Sequence, residues 1–207
     1  MLELFVSSLI TFFVVIDPPG CAPIYAGLSA GTTPAHRRAM AVRAVLVAAA
    51  ILLVFALFGE SLLKGLGIEL ASFRIAGGIM LFLIALEMVF EKRTQRREDR
   101  AAKIAEHPEE AEDVSIFPMA MPMIAGPGSI ASVMLLMSRN DGLERSLVVL
   151  AALATILALT LVALLAAGPL MRLLGAKIEA VITRLLGVLL AALAVQFVID
   201  GVEVALR

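Results

Sequence analysis

Tryptophan is absent from this 207-residue sequence, cysteine and tyrosine occur once each, and only 17% of the residues are charged. The missing tryptophan and the formal net charge of -1 leave neither a stacking platform nor a basic surface for nucleic acid. The single cysteine, Cys21, cannot close an intrachain disulfide, and with only two histidines it offers no metal cage. We therefore expect no nucleic-acid partner, no cofactor and no bound metal.

Apolar residues make up 61% of the chain, and the mean hydropathy is +1.00. Soluble chains are about 45–50% apolar, so much of this surface must face lipid. Stretches long enough to cross a bilayer as a helix lie near residues 2–28, 40–60, 70–90, 115–138, 146–168 and 181–202. The sequence predicts an all-α integral membrane protein with six transmembrane helices.

A long polar stretch divides these spans into two groups of three. It predicts a first three-helix repeat at 1–90, a charged linker at 91–114 and a second three-helix repeat at 115–207. The first span has no preceding Lys or Arg and no small-residue cleavage site, so we expect it to be retained. With the N-terminus outside, twelve of the 17 Lys and Arg residues lie inside. This distribution predicts a cytoplasmic linker and two periplasmic termini.

The two halves resemble each other at an offset near 108 residues. Pro19-Gly20 aligns with Pro127-Gly128, and Cys21 aligns with Ser129. Because each half contains an odd number of spans, the second half must enter the membrane from the opposite side. We therefore predict two inverted three-helix repeats, whose small-residue surfaces would suit a monomer or an oligomer.

The first span of each half contains a run that cannot be regular helix: Asp17-Pro18-Pro19-Gly20 in one and Gly126-Pro127-Gly128 in the other. Such breaks persist in a membrane where they are buried in protein or line a cavity. The helix that follows each break would present uncapped N–H groups to a carboxylate. The helix before it would present carbonyls to an ammonium group, so the pair predicts a site for a small zwitterion. The alternative is that both breaks are kinks that ease helix packing.

Polar side chains near the breaks have two interpretations each. Asp17 is a carboxylate inside a span, and it would bind the substrate amine, carry a coupled proton or cap the helix that follows. Several hydroxyls would either line a pore or bond to carbonyls of their own helix; these are Ser7, Ser8, Thr11, Ser129 and Ser132.

Residues 12–20, FFVVIDPPG, and 118–130, PMAMPMIAGPGSI, resemble the two signature segments of the MarC family. This family is also called the six-span neutral amino acid transporter family and is similar in plan to LysE-type exporters. The resemblance implies a bacterial inner membrane and, as in SnatA-like members, transport of glycine- or alanine-like substrates. It implies substrate-binding positions at Asp17, Pro18, Pro19, Gly20, Cys21, Gly126, Pro127, Gly128 and Ser129. Cys21 departs from the small or aliphatic residue expected at its position.

Together these features favour a secondary transporter with a midplane site formed by two broken helices, working by alternating access. Its partners would be the neutral amino acid, a coupled proton or sodium ion, and membrane lipids. One alternative is an exporter or channel for another small metabolite. The other is a membrane enzyme acting on a lipid phosphate, which we do not expect because His36 and His107 lie in predicted loops without catalytic neighbours.

Overall fold

A computed structural model describes residues 1–29, 32–90, 113–140 and 142–206, with backbone alone at 170–180 and 182. These residues form helical segments and no strand. The segments are α1 (Leu2–Ile16), α2 (Pro18–Leu28), α3 (Pro34–Gly65), α4 (Leu70–Val89), α5 (Ser115–Ile124), α6 (Pro127–Arg139), α7 (Leu143–Leu165) and α8 (Ala167–Ala205). Most of the charged linker, residues 91–112, lies outside the described residues.

Six membrane spans can be traced through these helices. Four are the segment Leu2–Leu28, which joins α1 and α2, together with α3, α4 and α7, and Thr183–Ala205 of α8 is a fifth. The sixth consists of α5 and α6, which meet at a bend of 52°. Large apolar side chains on these spans are exposed, Phe58 to 62% and Leu185 to 63%, as lipid-facing residues are. The predicted all-α class and six spans are confirmed.

Helix α3 extends beyond its predicted span because its start is set by local capping. Thr33 Oγ1 accepts the His36 N–H at 3.3 Å, and Pro34 occupies the first helical position. The helix ends at Gly65, and Gly67 adopts a φ of 69° in the turn to α4. Helix α8 likewise starts at Ala167, well before the predicted span at 181, since hydropathy marks the apolar part of a helix and not its ends.

Ion pairs and hydrogen bonds define the two ends of the bundle. The Arg74 guanidinium donates to the Ser138 carbonyl at 3.2 Å, which joins the start of α4 to the end of α6. We call this the Met1 end, because α1 also begins there. Arg43 pairs with Asp113 at the other end, which we call the linker end.

Helices α4 and α8 pack closely along each other because glycines remove side chains from their contact. A Cβ on Gly78 would lie 2.8 Å from the Ala194 carbonyl oxygen, and one on Gly201 would lie 3.1 Å from that of Ala71. Gly187 approaches the Ala85 carbonyl in the same way. Close backbone approach at small residues is the usual basis of helix association in membranes.

Most contacts between helices join the first half of the chain to the second. Equivalent helices of the two halves have equivalent partners. Helix α1 packs on α7 as α5 packs on α3, α2 packs on α7 as α6 packs on α3, and α2 packs on α8 as α6 packs on α4. Two equivalent three-helix units would produce this pattern. Inversion of one unit across the membrane and the domain boundaries stay predictions.

Candidate functional site

The first break is a single residue, Asp17, between α1 and α2. It has a left-handed backbone conformation, with φ 59° and ψ 64°, because the two prolines that follow cannot continue the α1 hydrogen-bond ladder. Its N–H closes α1 by donating to the Phe13 carbonyl at 3.0 Å, and its Oδ1 accepts the Gly20 N–H at 3.1 Å. Asp17 is 1% exposed. Its predicted capping role is confirmed, whereas amine binding and proton transfer stay predictions.

The start of α2 differs from what we predicted. Pro18 and Pro19 have no N–H, Asp17 accepts the Gly20 N–H, and the Cys21 N–H donates to the Asp17 carbonyl at 3.0 Å. The prediction that α2 offers uncapped N–H groups to a carboxylate is therefore wrong. The Cys21 thiol lies 3.5 Å from the Ile16 carbonyl oxygen and donates to it.

The second break follows an irregular helix. In α5 the backbone is extended at Phe117 and at Met121, each directly before a proline. The Ala125 N–H bonds to the Ala120 carbonyl at 2.9 Å, five residues earlier, so the turn is wider than that of an α-helix. Gly126 then folds back so closely that a Cβ there would overlap the Pro122 carbonyl oxygen. Only glycine fits this backbone.

Helix α6 starts with donors that lack acceptors. Pro127 occupies its first position, and no side chain caps the helix. Among the described residues, the N–H groups of Gly128 and Ser129 have no hydrogen-bond acceptor, and neither does the Ser129 hydroxyl. N–H groups without an acceptor at a helix start carry partial positive charge and favour an anion. The carboxylate role at α6 therefore stays a prediction, and the structure leaves donors there for it.

The two breaks lie against each other. A Cβ on Gly128 would lie 3.3 Å from Val15 Cγ1, two residues before Asp17, and 2.6 Å from Ile84 Cδ1 of α4. Leu81 Cδ2 would lie 3.5 Å away. The structure therefore joins the start of α6 to the end of α1, with α4 forming an apolar wall that the sequence did not indicate. All predicted site residues are buried except Pro19, which is half-buried, and Pro127, which is exposed.

The far end of α6 is held to α4 and α8. Arg139 pairs with Asp200, and its guanidinium carbon lies 4.8 Å from the centre of the Phe197 ring. Asp200 also accepts from the Gln196 amide at 2.7 Å. We refer to Arg139, Asp200 and Phe197 as the α6 clamp. Arg139 follows the predicted span at 115–138, and nothing in the linear pattern pairs it with Asp200.

Comparison with known proteins identifies the relatives of this broken-helix bundle. A family described as MarC family integral membrane protein matches residues 2–206. The chain belongs to the MarC family. A UPF0056 membrane protein from Methanocaldococcus jannaschii is 36% identical over 99% of this chain and 98% of its own length. The UPF0056 inner membrane protein YhgN of Escherichia coli is 33% identical over 98% of both chains.

A third MarC relative, UPF0056 membrane protein YvbG of Bacillus subtilis, is 34% identical over 98% of this chain and 96% of its own length. No solved structure matches the chain. Full-length coverage confirms the resemblance inferred from the two signature segments. The protein is a multi-pass integral membrane protein of the MarC family.

Proposed function

We propose that this MarC protein is a secondary transporter of small neutral amino acids such as glycine and alanine, located in a bacterial inner membrane with both termini periplasmic. The observation that supports the proposal is the buried start of α6, where the Gly128 and Ser129 N–H groups lack acceptors. A substrate carboxylate would accept from both groups and from the Ser129 hydroxyl. The protein would move the substrate without changing its covalent structure.

The first break supplies the complementary charge. Asp17 lies within the membrane-spanning core, and Val15, two residues earlier, contacts the start of α6. A carboxylate there attracts an ammonium group strongly, because the surroundings screen charge poorly. The amine of the substrate would therefore point towards α1 and its carboxylate towards α6. Coupling would use a proton or a sodium ion.

The apolar wall accounts for small substrates. Ile84 and Leu81 of α4 and Val15 of α1 surround the position that a Gly128 side chain would occupy. A substrate held by its two charged groups between the breaks would place its side chain near these residues. A hydrogen or a methyl group fits this space more easily than a branched or aromatic side chain.

Counterflow in proteoliposomes tests the proposal. Proteoliposomes loaded with unlabelled glycine or alanine should accumulate the labelled amino acid saturably, and vesicles that lack the protein should not. Imposed proton and sodium gradients then identify the coupling ion, and accumulation against a gradient distinguishes a carrier from a channel. Absence of exchange by correctly folded protein, for both substrates and under both gradients, would contradict the proposal.

Substitution Gly128→Leu should abolish counterflow without preventing membrane insertion. Even its Cβ would lie 2.6 Å from Ile84 Cδ1, so the new side chain would displace the apolar wall and cover the two N–H groups. The matched control is Gly27→Leu in α2, because Gly27 is exposed and a Cβ there meets no atom within 4 Å. Equal chromatographic profiles with transport lost only in the Gly128 variant would support the site. Transport by Gly128→Leu at the parent rate would place the site elsewhere.

A further inference from the structure

Several hydroxyls inside these helices bond to a carbonyl of their own helix. The Thr11 hydroxyl lies 2.8 Å from the Ser7 carbonyl, and the Thr160 hydroxyl lies 2.8 Å from that of Ile156. The same arrangement occurs at Ser7, Ser29, Ser138 and Thr155. A hydroxyl bonded in this way requires no partner from another helix. For Ser7 and Thr11, the own-helix interpretation from the sequence is confirmed.

Ser8 of α1 and Ser132 of α6 are buried without such a bond. Both residues are 0% exposed, and neither hydroxyl has a hydrogen-bond partner among the described residues. A buried hydroxyl without a partner costs about 1–3 kcal/mol in proteins, so a chain retains one where water or a ligand supplies the missing bond. Ser115 and Thr183 also have such oxygens, but they lie towards the linker end of the bundle.

The helix geometry places these two hydroxyls on facing surfaces. Helices α1 and α6 pack together between the breaks and the Met1 end, and Val15 contacts Gly128 where the breaks meet. At 100° per residue, Ser8 lies about 20° from Val15 around α1, and Ser132 lies about 40° from Gly128 around α6. Along the helix axes, Ser8 is roughly 10 Å from Val15 and Ser132 is roughly 6 Å from Gly128. Both hydroxyls therefore occupy the α1–α6 contact on its Met1 side.

We propose that Ser8 and Ser132 line the route by which water and the transported solute pass between the two breaks and the Met1 end. The route is closed here because α1 and α6 are in contact, and the α6 clamp holds the outer part of α6 against α8. When α1 and α6 separate, the two hydroxyls bond to water and to the charged groups of the solute. This inference rests on the proposed transport function and adds the path to it.

Removal of each hydroxyl is the first test. Ser8→Ala and Ser132→Ala should keep or raise the parent's thermal unfolding midpoint, because no protein hydrogen bond is lost and a buried hydroxyl without a partner is removed. Each should lower the counterflow rate about tenfold, the effect of losing one hydrogen bond to a charged group. The matched control is Thr160→Ala on α7, which removes a buried hydroxyl bonded to its own helix and should transport at the parent rate. Parent rates in both serine variants would overturn the proposal.

Cysteine accessibility is the second test and does not depend on transport. A membrane-impermeant cationic thiol reagent is added to each face of the membrane in turn, on Ser8→Cys, Ser132→Cys and Thr160→Cys. The parent, with its fully buried Cys21, gives the background labelling. The two serine positions should react from the Met1 face alone, at a rate that glycine or alanine changes, and Thr160→Cys should stay unmodified. Unmodified serine positions would overturn the route, as would labelling of Thr160→Cys at the same rate.

The two assays separate the route from the transport function. Labelling of Ser8→Cys and Ser132→Cys in a protein that does not exchange glycine or alanine would support the route and contradict the proposed substrates. Exchange by the parent, without labelling of the two cysteine variants, would support the transport function and contradict the route. Absence of both signals would reject both.

Discussion

Gly126→Ala should lose transport and most of its folded yield, although it adds a single methyl group. The new Cβ would overlap the Pro122 carbonyl oxygen, a backbone atom that no side-chain rotation can move away. Overpacking of a core costs about 1–3 kcal/mol when side chains can adjust, and we expect the upper end or more here. The break that positions the start of α6 would shift or fail to form.

The measurement for Gly126→Ala is the thermal unfolding midpoint in detergent, followed by counterflow of any folded fraction. Gly65→Ala is the control, because a Cβ at Gly65 meets no atom within 4 Å. It should match the parent in both assays. A monodisperse Gly126→Ala variant with the parent's midpoint and rate would contradict the geometry of the second break.

Asp17→Asn should fold like the parent yet transport at least about tenfold more slowly, since a charged hydrogen bond contributes about 1.5–3 kcal/mol. Asparagine tolerates the left-handed conformation of residue 17 and caps helices as well as aspartate does. It therefore keeps the bond to the Gly20 N–H while removing the charge. The substrate amine and any proton carried by the carboxylate would lose their partner.

The companion variant Asp17→Ala separates capping from charge. It loses the cap, worth about 1 kcal/mol, and adds about 1–2 kcal/mol for a left-handed alanine, so its unfolding midpoint should fall below that of Asp17→Asn. Counterflow is measured for both variants across a range of pH. Parent-like affinity and pH dependence in Asp17→Asn would leave Asp17 with the capping role alone.

The membrane spans were predictable because apolar length is a property of the sequence alone. The ends of α3 and α8 were not, because the local sequence decides them. Thr33 caps the start of α3, and Pro169 lies in the first turn of α8, where proline is tolerated and does not end the helix. The positions of both breaks were also predictable, because proline removes donors wherever the chain runs.

The chemistry of the two breaks could not be read from their similar sequences. At the first break the Asp17 side chain and two prolines leave no donor at the start of α2, whereas Gly126 offers no side chain and leaves two donors on α6. The apolar wall of Leu81 and Ile84 comes from a distant helix, and the α6 clamp joins residues 61 positions apart. Such contacts depend on packing, which a single sequence does not encode locally.

The equivalent helix contacts made by the two halves have a consequence for how the protein evolved. Since α1, α2 and α3 find their main neighbours in α5 to α8, the predicted inversion would let a half-length chain inserted in both orientations form these contacts with a second copy of itself. Fusion of the genes for two such half-length chains through a polar linker would ensure that the two halves are made in equal amounts. Each copy could then diverge, one gaining an aspartate at its break and the other keeping its bare amides.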